Sequence, residues 1–182
     1  SEALFFEGEA CSGLYILHTG IVKLFKISTS GREFILRVLE AGASFNEVPV
    51  FDGGLNPVNA TSLEASQVWI VDKKVIQSVL SEHPDLYPAI IQRLAANLRM
   101  LVQLLEDLAF FQVTQRLARL LLQESARPER LKNIKQDELA ARLGTVREVV
   151  SRSLKELERC GAIRVERRQI QILELDRLRE CS

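Results

Sequence analysis

The chain has 182 residues, of which 47% are hydrophobic and 26% charged, a balance typical of one or two globular domains. It has no apolar run of about 20 residues and no opening secretory signal, so a cytoplasmic protein that does not span a membrane is expected. The net charge is zero, but residues 1–108 hold 8 lysines and arginines against 13 acidic residues, whereas residues 109–182 hold 16 against 11. Only the C-terminal part therefore has the positive charge that contact with phosphate requires.

Residues 4–72 consist of short apolar runs separated by turn residues. Regular short strands with glycine turns are typical of an antiparallel sandwich or barrel, and a double-sheet jelly roll is the predicted form. Strands are predicted at residues 14–27 (two strands joined by a turn), 33–39 and 68–71.

A jelly roll can also be an enzyme whose metal is held by clustered histidines and a carboxylate. This chain has only His18, in a predicted strand, and His83, before a predicted helix, so neither a metal site nor an enzyme is expected. His18 is interpreted as an ordinary strand residue, with haem ligation as the second interpretation. Cys11, Cys160 and Cys181 show no CxxC spacing, and Cys160 is expected to pack inside the C-terminal domain.

Residues 84–108 carry a heptad pattern that predicts a long helix. In a monomer this apolar stripe would pack on the chain's own barrel. Because the stripe covers three heptads, it also fits a second copy of itself, and a parallel two-helix homodimer is the favoured interpretation. Residues 109–112 follow as a predicted hinge. The stripe is formed by Tyr87, Ile91, Leu94, Leu98, Leu101, Leu105 and Leu108.

Residues 136–157 (QDELAARLGTVREVVSRSLKEL) predict two short helices around a tight turn. Gly144 is predicted to end the first helix, since glycine readily takes the left-handed conformation of a helix C-cap. Thr145 is predicted to cap the second helix, with Glu148 completing a capping box. A helix, a glycine turn and a second helix with polar residues at its start form the helix-turn-helix pattern.

The second helix is predicted to have two faces. Val150, Leu154 and Leu157 form an apolar stripe that should face the core. Arginine can donate two hydrogen bonds to guanine and glutamate can accept one from cytosine, so the polar face is predicted to bind base edges of double-stranded DNA. The alternative is a solvated amphipathic helix with charge pairs such as Arg152 and Glu156. The polar face consists of Arg147, Glu148, Ser151, Arg152 and Lys155.

The remaining C-terminal residues predict a wing and a tail. Gly161 is expected to end the second helix, and residues 162–173 to form a hairpin that turns at Arg167 and Arg168. The last nine residues resemble a short helix. Candidate phosphate contacts are Lys135, Gln136 and Thr145 near the helix-turn-helix and Arg164, Arg167 and Arg168 on the wing.

Residues 144–172 (GTVREVVSRSLKELERCGAIRVERRQIQI) resemble the DNA-binding end of the Crp/Fnr family of bacterial transcription regulators. Arg147, Glu148 and Arg152 stand at that family's base-contacting positions, and Ser151 completes the E-x-x-S-R pattern of its Fnr branch. FFEGE, LYILHTGIVKL and SGREFIL resemble the family's cyclic-nucleotide-binding-type barrel, so the resemblance covers nearly the whole chain. Two positions depart from the family: Val146 replaces a serine or threonine that often touches phosphate, and Lys135 a threonine that often caps the first helix.

The resemblance implies an α+β protein with an antiparallel β jelly-roll sensor barrel in residues 1–83, a dimerisation helix and hinge in 84–111, and a winged helix-turn-helix in 112–182. It implies a homodimer that binds an inverted repeat with half-sites like TGTGA or TTGAT, with RNA polymerase as a candidate partner. The expected signal at the barrel is a small molecule, a gas or a redox change. Two alternatives stay open: a constitutive DNA binder without an effector, and an interaction module whose helix-turn-helix is vestigial.

Residues 45–61 (FNEVPVFDGGLNPVNAT) lie where the family's cyclic-AMP-binding members hold the nucleotide. Glu47 matches their ribose-binding glutamate, whereas Pro57 and Val58 replace the Arg-Ser pair that binds the phosphate. Because a buried phosphate without a cation is strongly disfavoured, cyclic AMP is not the expected effector. The cofactor is unknown, and haem stays open. Glu47 either stabilises a turn or takes part in sensing.

Overall fold

The structure is a computed structural model that describes residues 2–127, 131–132, 134–166 and 169–182. The chain divides into two compact units, Ser1–Asn97 and Leu98–Ser182. This division falls within a long helix, so the expected separation into residues 1–83, 84–111 and 112–182 stays a prediction. The first unit is mainly β-structure and the second mainly helical.

The N-terminal unit contains two antiparallel sheets. One has the strand order β1-β6-β3-β4 and the other β5-β2-β7, as a double-sheet β domain requires. In chain order the elements are β1 (Ala3–Phe5), β2 (Leu14–Thr19), β3 (Ile21–Ile27), β4 (Glu33–Glu40), β5 (Ser44–Phe45), helix α1 (Glu47–Asp52), β6 (Asn59–Ser62) and β7 (Gln67–Val71).

Three aromatic rings connect the two sheets. Phe5 on β1 lies 5.0 Å from Tyr15 on β2 and 6.2 Å from Phe45 on β5, and the Tyr15 and Phe45 rings are 5.2 Å apart, all measured between ring centroids. Aromatic pairs at such distances contribute packing energy beyond the area they bury. Leu17 and Val22 are fully buried beside them, so this cluster is the core of the β domain.

The predicted strands at residues 14–27, 33–39 and 68–71 are confirmed within one or two residues. The sequence interpretation missed three short strands, β1, β5 and β6, and the helix α1. These elements have two to six residues, which is too short for the apolar alternation or helical period on which such predictions depend.

Three helical segments follow the β domain. Helix α2 (Lys73–Glu82), which was also not predicted from the sequence, is capped by Asp72, whose Oδ1 accepts a hydrogen bond from the Lys74 amide at 2.7 Å. A 3-10 turn (Pro84–Leu86) leads into the 24-residue helix α3 (Tyr87–Phe110). None of the residues of α3 is buried. Along the heptad stripe Leu94 is half-buried, whereas Ile91, Leu98, Leu101, Leu105 and Leu108 are exposed.

The C-terminal unit contains the predicted winged helix-turn-helix. Its core includes Leu117, Leu121, Leu139, Val150, Leu157 and Leu178, none more than 1% exposed. The hairpin pairs Ile163 with Ile172 and Glu166 with Gln169. Arg167 and Arg168, the predicted turn, lie outside the described residues. The elements are α4 (Val113–Glu124), α5 (Gln136–Leu143), α6 (Arg147–Arg159), β8 (Ile163–Glu166), β9 (Gln169–Ile172) and α7 (Leu175–Glu180).

The connection between α3 and α4 is held by specific contacts rather than by a flexible loop. Arg119 on α4 forms an ion pair with Asp107 on α3 at 2.8 Å, and its guanidinium lies 3.5 Å from the centroid of the Phe111 ring. Gln112 begins α4 in a capping box with Gln115. Helix α3 includes Phe110, so the connection is shorter than the hinge predicted for residues 109–112.

Candidate nucleic-acid interface

Helix α5 ends at a left-handed glycine, as its sequence predicts. Gly144 has φ 63° and ψ 38°, and both its amide and that of Thr145 donate to the Ala140 carbonyl, the latter at 2.9 Å. Left-handed geometry costs a residue with a Cβ atom about 1–2 kcal/mol, which glycine avoids. Gly144 therefore fixes the sharp turn between the two helices.

The predicted capping box of α6 is wrong. Val146, not Thr145, is the N-cap residue, and no side chain caps this helix. Because the Thr145 amide already closes the end of α5, Thr145 belongs to the turn. Helix α6 starts one residue later, with the Val146 carbonyl accepting from the Val149 and Val150 amides at 3.0 and 3.2 Å. Glu148 is consequently not used as a cap.

The two predicted faces of α6 are present. Val150, Leu154 and Leu157 are at most 3% exposed and pack in the core with α4 and α5. The polar side chains of the opposite face all reach solvent: Arg147, Glu148, Arg152 and Lys155 are exposed, and Ser151 is half-buried. The burial of the apolar stripe thus sets the rotation of the helix and presents these side chains outward.

The charged groups of this face are not engaged with one another. Within the described part of the chain, Arg147, Glu148, Arg152 and Lys155 form no ion pair. The pair between Arg152 and Glu156, the example given for the solvated-helix alternative, is absent, and Glu156 accepts a hydrogen bond from the Thr114 hydroxyl at 2.9 Å. These groups are therefore free to bind an external partner.

Contacts from neighbouring elements hold α6 in place, and the sequence did not indicate them. Thr114 on α4 also bonds to Ser153 at 3.0 Å, so one hydroxyl connects α4 to two residues of α6. The carboxylate of Glu158 accepts from the amide of Val165 on β8 at 2.9 Å, which links α6 to the hairpin. An ion pair at 2.5 Å between Arg142 on α5 and the buried Glu124 on α4 supports the first helix.

The weaker candidates for phosphate contact lie on the elements next to α6 and differ in how exposed they are to solvent. Lys135, the N-cap residue of α5, is exposed, whereas Gln136 and Thr145 are half-buried. Arg164 is exposed on β8. Side chains at the start of α5 and on a wing are where a winged helix contacts the DNA backbone, so the arrangement suits that role.

Glu47, the candidate effector-binding residue, is the first residue of α1. Its Oε1 accepts a hydrogen bond from the Ser44 hydroxyl at 2.8 Å, so it does stabilise a local turn. The neighbouring Asn46 has a left-handed φ of 70° and is buried. The pKa of Arg37 on β4 is lowered by burial and by the charge of Arg93, and the negative charge of Glu47 opposes this shift.

The remaining candidates from the sequence have ordinary surroundings. The exposed His18 stacks on Trp69, with ring centroids 4.7 Å apart. Cys160 is exposed, not packed as expected, because it follows the last turn of α6 off the buried stripe. Burial and the neighbouring Cys160 raise the pKa of Cys181. Among the described residues, no three His, Cys, Asp or Glu side chains could hold a metal ion, and no helix could cross a membrane.

A helix-turn-helix with an exposed polar helix face and a β-hairpin wing, preceded by a two-sheet β domain, defines a DNA-binding regulator with a separate ligand-binding-type domain. Comparison with known proteins agrees. Residues 1–83 match the family model of the cyclic nucleotide-binding domain, and residues 115–181 match the Crp-like helix-turn-helix domain.

Relatives of known function extend along most of the chain. A CRP-like cAMP-activated global transcriptional regulator of Mycobacterium tuberculosis is 30% identical over 96% of this chain and 82% of that protein. The cyclic AMP receptor protein of Thermus thermophilus is 29% identical over 98% and 83%. A solved CRP/FNR-family regulator of the same organism has a TM-score of 0.81 at 27% identity, covering 99% of this chain and 93% of that one.

A regulator of the crp/fnr family from Eubacterium rectale has a TM-score of 0.85 at 20% identity, covering 100% of this chain and 85% of that one, and shows the shared fold. The chain belongs to the Crp/Fnr family and is a DNA-binding transcription regulator of that type. Members of this family are transcription regulators, not enzymes, and typically bind DNA as dimers.

Replacing the glycine of the turn tests whether its geometry sets the position of α6. Gly144→Ala should lower the free energy of unfolding by about 1–2 kcal/mol, because alanine is strained at this left-handed φ. The free energy is measured by urea unfolding of the purified protein, and the affinity of the folded variant for DNA is measured separately. Gly144→Asn is the matched control, since asparagine tolerates this conformation and should lose less. Equal losses for both variants would contradict a conformational role for Gly144.

Proposed function

We propose that the chain is a sequence-specific regulator that acts as a homodimer on an inverted-repeat operator in the cytoplasm. The observation that carries this proposal is the polar face of α6, on which Arg147, Glu148 and Arg152 are exposed and form no ion pair with any residue that the structure describes. A glutamate facing DNA is repelled by phosphate, so its place between two arginines is best explained by contact with a base.

Each residue of the face has a proposed role. Arg147 and Arg152 donate to guanines, Glu148 accepts from a cytosine amino group, and Ser151 assists. Lys135, Gln136 and Thr145 contact backbone phosphates and fix the register without carrying sequence information. Val146 has no hydroxyl for the phosphate contact that the family often makes at this position, so the first backbone amides of α6, which no side chain caps, would supply it.

The dimer is proposed from the exposed stripe of α3. Ile91 is 63% exposed, Leu98 62%, Leu101 47% and Leu105 67%, all on one face at heptad spacing. Such a surface is costly in water and is covered when a second α3 packs in parallel along it. Two-fold symmetry would then place the two α6 helices in successive major grooves, about 34 Å apart. RNA polymerase is the partner through which a bound dimer would act.

The signal is proposed to act at the β domain. An effector changes DNA affinity only to the extent that it binds the two states of the dimer differently. Two relatives are named for cyclic AMP, but Pro57 and Val58 replace the side chains that hold its phosphate in such members. We therefore propose an effector other than cyclic AMP.

Selection of binding sites from random double-stranded DNA tests the function directly. The enriched sites should be inverted repeats with half-sites about one helical turn apart. Arg152→Ala should then cost about 1–3 kcal/mol of binding free energy and relax the preference at one base pair of each half-site. Affinities are measured by fluorescence anisotropy across the single-base variants of the selected site.

The matched control is Arg159→Ala, which removes an exposed arginine from the last turn of the same helix. It should leave the pattern of base preferences unchanged. A uniform loss of affinity for all sequences in Arg152→Ala would assign this residue to phosphate contact. No enriched site and no salt dependence would favour a vestigial helix-turn-helix.

The dimer is tested by placing charge on the α3 stripe. Leu98→Glu should shift the protein from dimer to monomer, because two carboxylates would be buried without partners where the helices meet. Sedimentation velocity over a range of concentrations measures this. Gln92→Glu, which adds the same charge at an exposed position of α3 outside the stripe, should remain dimeric. A wild-type chain that stays monomeric at all concentrations would rule out the proposed assembly.

Cyclic AMP at micromolar concentration should leave the affinity for the selected site unchanged, because the phosphate would lack its usual cation. Anisotropy titrations with and without the nucleotide measure this, and calorimetry reports binding directly. A clear calorimetric isotherm accompanied by tighter DNA binding would contradict the proposal. Full affinity of the purified protein with no small molecule bound would instead favour a constitutive binder.

A further inference from the structure

Arg37 occupies an unusual position for a charged residue, on the inward side of a β-strand. It lies on β4 two residues from Leu39, which is 2% exposed and belongs to the core, and it pairs with Leu24 of β3, which packs against that core. Since alternate residues of a strand share a face, the Arg37 side chain leaves the strand toward the interior of the β domain. It is half-buried there, and a buried cation is costly unless an anion compensates it.

A second arginine lies beside it. The Nη1 of Arg37 donates to Oδ1 of Asn97 on α3 at 3.0 Å. Arg93 precedes Asn97 by four residues, so it projects from the same face of that helix one turn earlier. Burial and the positive charge of Arg93 together lower the pKa of Arg37, as expected for two guanidinium groups held close to each other.

The two arginines lack a matching set of anions. Neither forms an ion pair within the described chain, and the Nε of Arg93 is buried without a hydrogen-bond partner. Among the residues described, Glu47 is the one carboxylate whose charge acts on Arg37, and it is already hydrogen-bonded to Ser44. Two cations and one carboxylate leave an excess positive charge in a half-buried place. Such an excess is stabilised by an oxyanion, which two guanidinium groups bind with several charge-assisted hydrogen bonds.

We propose that Arg37 and Arg93 form a binding site for the oxyanion group, phosphate or carboxylate, of a small-molecule effector. The site rests on the proposed function, since it assigns the chemical class of the signal that the β domain binds. Its positive charge comes from β4 and α3, not from the segment of Pro57 and Val58 in which cyclic-AMP-binding members hold the nucleotide phosphate. Asn97 holds Arg37 in position, and Glu47 limits the excess charge when the site is empty.

The test uses the full chain without DNA and inorganic phosphate as the probe. Thermal unfolding is followed while phosphate replaces chloride at constant ionic strength. The wild type should be stabilised in a saturable manner, and the apparent dissociation constant should rise about tenfold or more in Arg37→Gln and in Arg93→Gln, as losing charge-assisted hydrogen bonds to an anion implies. Arg99→Gln, an exposed arginine of the same helix, is the control and should respond like the wild type.

Stability without phosphate separates a binding site from a structural role. In chloride alone, Arg93→Gln should unfold at the wild-type temperature or above it, because the substitution removes repulsion between two cations. Succinate and cyclic AMP are then titrated against phosphate. Competition by succinate that depends on Arg37 would assign a carboxylate effector. No competition by succinate would assign a phosphate-bearing effector. Competition by cyclic AMP would support the anion site but would contradict the proposal that cyclic AMP is not the effector.

Two results would overturn the proposal. One is a wild-type chain whose unfolding temperature does not respond to phosphate, or an equal response to phosphate in the wild type and in all three variants. The other is loss of stability in chloride on Arg93→Gln, which would make the arginine a structural residue. Neither result bears on DNA recognition, because site selection and Arg152→Ala address α6 alone.

Discussion

The arrangement of the DNA-binding unit depends on the burial of one apolar stripe. Val150, Leu154 and Leu157 are almost fully buried, and each contributes about 1.5–3 kcal/mol by leaving water. Rotating α6 about its axis would expose these side chains and bury arginines in their place, so both terms oppose the rotation. The hydrophobic core therefore determines which side chains can reach DNA, although the core residues themselves do not contact DNA. The Thr114 hydroxyl on α4 also forms hydrogen bonds to α6, and because hydrogen bonds are directional they further restrict the orientation of this helix.

The N-terminal and C-terminal parts of the chain differ in whether their positively charged side chains are exposed or half-buried. The C-terminal part carries an excess of lysines and arginines, and on α6 these lie in solvent, where attraction to phosphate is sequence-independent and screened by salt. The N-terminal part is acidic in total, yet it holds Arg37 and Arg93 together in a half-buried place. Net charge thus indicates the polyanion that a surface attracts, but says little about a local site in which a few groups are shielded from water.

Periodic features could be predicted from the sequence, and features that depend on distant residues could not. The stripe of α6, the heptads of α3 and the left-handed Gly144 follow from local spacing and conformational preference. The predicted cap of α6 was wrong because Thr145 fits both the capping pattern of α6 and the C-terminal turn of α5. In the structure the Thr145 amide donates to Ala140 and so belongs to the turn. Arg37 and Arg93 are 56 positions apart in sequence, so only the folded β domain brings them together. The position of Arg37 two residues before the buried Leu39 was the one local sign of an inward charge.

Under the proposed function, α3 links the anion site to the dimer. Ile91, which is exposed, and Leu94, which is half-buried, belong to the heptad stripe, while Arg93 lies between them in sequence and contributes to the cation pair. Successive residues of a helix are about 100° apart around its axis, so binding to Arg93 and packing of the stripe constrain the same rotation from two sides. An anion that relieves the repulsion between Arg37 and Arg93 would favour the rotation in which both guanidinium groups face it. The effector would then act on DNA binding through the free-energy difference between two helix orientations, without contacting α6.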